Sequence, residues 1–362
     1  MTGKRQHFIP RFLQKGFASH VVGEEVFTWA YRKGKTPFNA NIKNVGVEGF
    51  FYSENSDTDL DDTITVAEDD FAQLIDKIRN NNYVDKQDYK KIAQLISHLE
   101  LRTRHLRQNF FSTGNNLIDK MLYYLSDSAF CEKFLRDRII DDPSLIKETF
   151  ADELQKRGIS QVALPLLLRM SKPFLESTIP NMMQFMNELI AHSKKEMPSI
   201  LKQASKTGHI KALNRGLAPP VKVNLLEKYK YSVFSCKNTP IPLGDSVLIF
   251  YVVGDRSFKP FLEKKDDLIA VLLPVSSEQI IVGYKDNYVP NYSLLPEIIA
   301  ECSMEYFIAG EFRPEYEQVS GKISENSHLL TEIQMESLIN ELMNGSRSNK
   351  ANSADAKSRA AD

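Results

Sequence analysis

Across residues 59–215 apolar side chains recur every three to four positions, and past Pro219-Pro220 the pattern changes to short runs of β-branched and aromatic residues. The first period belongs to helices that bury one face, and the second to strands between turns. A chain carrying both in separate blocks predicts an α+β fold, with a helix-rich middle region between a small N-terminal β segment and a C-terminal mixed β/α region. Ile64, Phe71, Leu74, Ile75 and Ile78 mark one helix, with Leu60 and Ala67 on the same face. Ile92, Leu95, Ile96, Leu99, Leu106 and Phe110 mark a second, read as continuous. Further helices are expected over 116–140, over 144–156 with Pro143 at its start, over 182–195 and over 199–214. The N-terminal segment predicts a turn of helix after Pro10 closed by Gly16, then strands at 25–31 and 49–53 with a turn at Lys33-Gly34-Lys35. Strands are expected at 229–234, 247–253, 268–273 and 279–282, and helices at 294–302 and 328–343. The resulting division is 1–54, 55–216, 217–343 and a tail from 344 to 362 too poor in large apolar residues to order itself.

With 42% hydrophobic and 26% charged residues in 362, the composition is that of a globular protein able to bury a large core. A formal net charge of -1 supplies no overall field for a polyanion, so contact with nucleic acid would have to rest on a local patch. Cys131, Cys236 and Cys302 are odd in number and widely spaced, which fits neither a disulfide framework nor paired zinc ligands and suits a reducing compartment. Arg11, Gln14 and Lys15 interrupt the apolar residues near the start, unlike a signal peptide. The longest apolar run, 247–253, falls well short of the roughly 20 residues of a spanning helix and reads as a buried strand. Together these features predict a soluble cytoplasmic protein with no membrane partner.

Gln6-His7-Phe8-Ile9-Pro10-Arg11-Phe12-Leu13, ending in Gly16-Phe17-Ala18, resembles the opening of the prokaryotic domain of unknown function 4238 family. Lys43-Asn44-Val45-Gly46-Val47-Glu48 with Phe51-Tyr52, then Glu68, then Arg102-Thr103, resemble its later blocks. Pro242-Leu243-Gly244-Asp245-Ser246-Val247 and Leu272-Leu273-Pro274-Val275-Ser276 extend the likeness to about residue 310, although the hydroxyls and proline usual around the acid are replaced here. The resemblance implies a setting among mobile-element and phage-defence genes and no settled chemistry.

Four of these residues have types that could do chemistry. His7 offers a neutral imidazole as base or metal ligand, or a ring that caps backbone groups around the Pro10 turn. Arg102, three residues after Leu99 and four before Leu106, falls at the edge of a buried face, where a guanidinium must find a carboxylate, a phosphate or several carbonyls. Glu68, beside Ile64, Phe71 and Ile75 on the preceding helix, is its expected partner in a structural pair. Glu48 and Asp245 lie in loops beside strands, where carboxylates can hold a metal or bond their own backbone.

Two functions follow. One is a nuclease-like phosphodiester hydrolase with Glu48 and Asp245 on a magnesium ion, His7 as base and Arg102 anchoring phosphate. The other is a non-enzymatic module that binds a protein or small ligand, with the same residues holding segments together. His98 and His105, with Arg104 and Arg107, read as a solvated helix edge or as a partly basic patch. Gly34-Lys35-Thr36 lacks the first glycine of a phosphate-binding loop, since Trp29 stands five positions earlier.

Overall fold

The computed structural model describes residues 5–53, 59–141, 144–286 and 288–344. In chain order the main elements begin with β1 (Arg5–His7), α1 (Arg11–Gln14), β2 (His20–Val22), β3 (Glu25–Arg32), β4 (Phe38–Asn41) and β5 (Val47–Gly49). The helical stretch comprises α2 (Asp59–Asn81), α3 (Tyr89–Arg102), α4 (Arg104–Ser126), α5 (Ser128–Leu135), a π-helical turn (Arg136–Asp141), α6 (Ser144–Lys156), α7 (Leu164–Arg215) and α8 (Pro220–Leu226). Strands then return as β6 (Lys230–Ser235), β7 (Leu243–Gly244), β8 (Ile249–Val252), β9 (Phe258–Lys259), β10 (Leu268–Ser276) and β11 (Gln279–Tyr284). The last elements are α9 (Leu295–Cys302), β12 (Tyr306–Ala309), α10 (Pro314–Ser320) and α11 (Glu332–Asn344). The fold is α+β, as the two apolar periods predict.

The chain forms two compact units, which cut across the segments suggested by composition. Unit 1 comprises residues 1–110 and 204–329, and unit 2 comprises 111–203 and 330–362. The strand-rich ends of the chain share unit 1 because β3 pairs antiparallel with β12, setting Ala30 opposite Ile308. That pairing belongs to a sheet ordered β2-β3-β12-β7, with β4 added on β3. A second sheet runs β6-β11-β10-β8-β9, and β1 pairs with β5 alone.

β10 reads as a nearly unbroken apolar run because both of its faces are buried. Pro274 is tolerated there because the register shifts between Pro274 and Ser276, and the side chain of Arg79 from α2 donates to the Val275 carbonyl through Nε at 2.8 Å. One core gathers α1, α2, α3 and α8 against this sheet, through residues such as Leu13, Phe17, Ile75, Leu99, Leu226 and Leu273. Unit 2 has smaller clusters of its own, one around Cys131, Leu135 and Ile179 and one around Met335 and Ile339.

Several boundaries differ from those the sequence suggests. The helix expected to run through Phe110 breaks at Thr103, whose extended backbone (φ -64, ψ 148) ends α3 at Arg102; Phe110 is exposed. The helices expected at 182–195 and 199–214 are one helix, α7, which begins at Leu164 and contains Pro173, Pro180 and Pro198. An interior proline ordinarily costs a helix about 3 kcal/mol, so periodicity and proline placement both argued for a break that the folded chain overrides. The strand expected at 49–53 stops at Gly49, because Phe50 takes a left-handed conformation (φ 52). Pro143 and the tail from 345 onward lie outside the described residues. No helix among the described residues is long and apolar enough to cross a membrane.

Candidate functional site

The short β1 strand sets Gln6 opposite Glu48 and His7 opposite Val47 on β5. Gly46 holds this ribbon to the next residues: its carbonyl accepts from the Phe8 amide at 2.7 Å and from the Ile9 amide at 3.3 Å. It does so at φ +63, and a Cβ there would come within 2.7 Å of the Ile9 Cβ, so glycine is required on both counts. Gln14 ties the same segments from α1, donating through Nε2 to the carbonyls of Ile9 (2.8 Å) and Val45 (3.1 Å). Beyond Phe50 the chain turns inward and buries Phe51 and Tyr52.

Arg102, 2% exposed at the end of α3, meets this ribbon with two nitrogens hydrogen-bonded and the third in an ion pair. Nε donates to the Tyr52 hydroxyl at 2.6 Å, Nη2 donates to the main-chain carbonyl of His7, and Nη1 is paired with Glu68 of α2. The Tyr52 hydroxyl donates in turn to the His7 carbonyl at 3.0 Å, and the Tyr52 amide donates to Gln6 Oε1 at 2.6 Å. Burial pushes the Tyr52 phenol up to about 12, against the opposing pull of the Arg102 charge, so it is a hydroxyl at neutral pH. Asp61, seven residues before Glu68 on the same helical face, joins the cluster: burial raises its pKa, and the Arg102 charge pulls it back.

The imidazole of His7 does not face Arg102 in this way. Its Nε2 lies 3.3 Å from the Ile42 carbonyl, which can only accept, so that nitrogen carries the proton. Burial, more than the nearby Arg11, Arg102 and Arg5 charges, holds its pKa down to about 4, which leaves the ring neutral and a weak base. His98 and His105, read as a solvated edge, are buried instead. His98 Nδ1 lies 3.2 Å from the Leu217 carbonyl, His105 Nε2 lies 2.7 Å from that of Ser327, and both pKa values are lowered to about 4 by burial.

Glu48 belongs to a second cluster. Its Oε1 pairs with Arg107 Nη2 at 2.5 Å and its Oε2 with Arg104 Nε at 3.3 Å, while Arg104 Nη1 reaches Glu305 at 2.9 Å. The Arg107 guanidinium also lies 4.0 Å from the Phe51 ring centroid. The two arginines are therefore matched to carboxylates, unlike a basic patch awaiting phosphate.

Asp245 belongs to a third. Its Oδ1 accepts from the Met304 amide at 2.7 Å, and its Oδ2 accepts from the Glu305 and Tyr306 amides at 2.8 and 3.3 Å. It thus binds the loop between α9 and β12 rather than its own turn. Burial pushes its pKa up to about 6, against three N–H bonds that favour the charged form. Among the described residues no hydrogen bond or ion pair joins Asp245 to Glu48 or to Arg102, and no group of three or more His, Cys, Asp or Glu is set to hold a metal. The oxygens of Glu48 accept from guanidinium groups and those of Asp245 from amides, each in its own cluster. Gly34, in the turn between β3 and β4 at φ +66, opens no helix, as a phosphate-binding loop would.

Reading by residue type missed Gln6 and Tyr52 as members of the Arg102 cluster, although both stand in the motifs quoted above. It also missed Asp61, whose place seven residues before Glu68 on one helical face was a usable signal. A family model described as protein of unknown function (DUF4238) matches residues 5–214, a span that includes β1, β5, Glu68 and Arg102 and ends before Asp245. No curated protein and no solved structure matches the chain. The matched span covers more than half of the chain, and the protein belongs to the DUF4238 family.

Proposed function

We propose that this protein is a non-enzymatic binding module, in which the polar residues of unit 1 are architecture and recognition falls to exposed apolar side chains of unit 2. The observation that carries this reading is the closure of the Arg102 network: each guanidinium nitrogen already has a partner in Glu68, Tyr52 or the His7 carbonyl. A phosphate would have to displace the part-buried Glu68 carboxylate to gain an anchor there, and the His7 ring is neutral and held by Ile42. The strict glycine at Gly46 supports the same reading, since its role is met by packing alone.

In unit 2, Leu166, Met170 and Phe174 of α7 follow one another at four-residue intervals and are 60%, 68% and 69% exposed. Such a row is costly to leave in water and suits the apolar face of a protein partner.

The test pairs turnover with stability. Purified protein incubated with single- and double-stranded oligonucleotides and magnesium or manganese is expected to give no cleavage beyond that of an Asp245→Asn variant. Metal-dependent cleavage abolished by His7→Ala at an unchanged melting temperature would overturn the proposal in favour of the phosphodiester hydrolase.

A further inference from the structure

Where the π-helical turn at Arg136–Asp141 meets α7, unit 2 holds a cavity of about 190 Å³ lined by Ile139, Ile140, Leu168 and Leu175, with Arg169, Ser171 and Lys172 completing it. Two local features border the gap. A π-helical turn moves successive side chains out of the i, i+4 rows, and Ile139 and Ile140, which pack against the cluster of Cys131, Leu135 and Ile179, also line the gap beside Leu168 and Leu175. On the opposite wall Pro173 has no N–H, which leaves the Arg169 carbonyl without its ladder donor.

The charges at the rim are as distinctive as the floor. Arg169 and Lys172 are exposed, stand three residues apart on one helix, and form no ion pair with a described residue. Like charges at that spacing repel, and an anion between them relieves the repulsion. The Ser171 hydroxyl donates to the Leu168 carbonyl at 3.0 Å, so the two cations supply the donors available to a ligand.

We propose that this cavity binds a small carboxylic acid with a compact apolar body, its carboxylate between Arg169 and Lys172 and its body among Ile139, Ile140, Leu168 and Leu175. An apolar cavity of roughly 150 Å³ takes up one benzene ring, so this one holds a six-membered ring or a short branched chain with the anionic group at the mouth. A free phosphate lacks the apolar body, and a neutral ring leaves the cations unmatched. The cavity belongs to unit 2, and its occupancy is independent of the role assigned to Arg102 in unit 1.

The experiment is an NMR titration of the full chain, labelled at Ile and Leu methyl groups, with benzoate and with benzyl alcohol as the uncharged control. Benzoate is expected to shift the methyl resonances of Ile139, Ile140, Leu168 and Leu175 with a common dissociation constant on the order of a millimolar or below. The exposed double variant Arg169→Gln/Lys172→Gln should weaken benzoate about ten-fold and leave benzyl alcohol unchanged. Leu168→Trp, which fills the cavity, should abolish both. Benzoate that moves none of these methyls overturns the proposal, as does benzoate that binds no more tightly than benzyl alcohol or that is indifferent to the double variant.

Discussion

A guanidinium removed from water needs a partner for each nitrogen, and Arg102 has them in Glu68, Tyr52 and His7. Arg102→Ala strands Glu68, while the Tyr52 hydroxyl keeps its bond to the His7 carbonyl, and is expected to cost about 3–5 kcal/mol, seen as a lowered denaturation midpoint. Arg102→Lys should recover little, because three donors on one nitrogen cannot reproduce the planar fork whose separate nitrogens reach Glu68, Tyr52 and the His7 carbonyl.

A second expectation concerns pH. His7, His98, His105 and His209 have folded pKa values lowered to about 4 from 6.5, so the unfolded chain binds more protons between those limits. Their contribution to stability is complete above about pH 6.5 and is lost as pH falls through about 4. Asp245, raised to about 6 from 3.8, acts with opposite sign over a narrower window. The net result should be a melting temperature that drops as pH falls from 6.5 to 4, with His98→Gln flattening the profile. At this scale Arg102 and Glu68 were legible from the apolar period alone, since each falls where a charge meets a buried face. Tyr52 was not, because its burial depends on a ribbon and a helix end whose meeting no local pattern encodes, and Asp61 was signalled only by its i, i+7 spacing from Glu68.

Elements join where glycine allows close approach, and Gly46 decides how β1 and β5 are fastened to α1. Gly46→Ala would combine left-handed backbone strain with a clash against Ile9, a cost of about 2–4 kcal/mol measurable by chemical denaturation. Helix positions were largely readable: α6 and α9 fall where period and end signals put them. The single long α7 was not, because three prolines argue for separate helices and only burial of residues such as Ile179, Ile190 and Leu213 along its length offsets them. The break at Thr103 was equally hidden, since Leu106 continues the apolar period across it. That break matters to the site, because it makes Arg102 the last residue of α3, where a cation also meets the negative end of the helix.

In the whole molecule residues 1–110 and 204–329 build one unit, while 111–203 and 330–362 build another, so composition along the chain was a poor guide to what packs together. The shift at Pro219-Pro220 marks a change of element type inside unit 1. Pairing of β3 with β12, far apart in the chain, carries no local signature. Two units with separate cores are expected to give two calorimetric transitions, and Arg102→Ala should lower only the one belonging to unit 1.

The most direct test of the Arg102 network as architecture is a double-mutant cycle on Arg102→Ala and Glu68→Ala, followed by urea denaturation. A coupling of about 1–3 kcal/mol, with the double variant less destabilised than the sum of the singles, is the predicted result. Single variants that keep wild-type stability yet lose biological effect would contradict it and return Arg102 to a functional role.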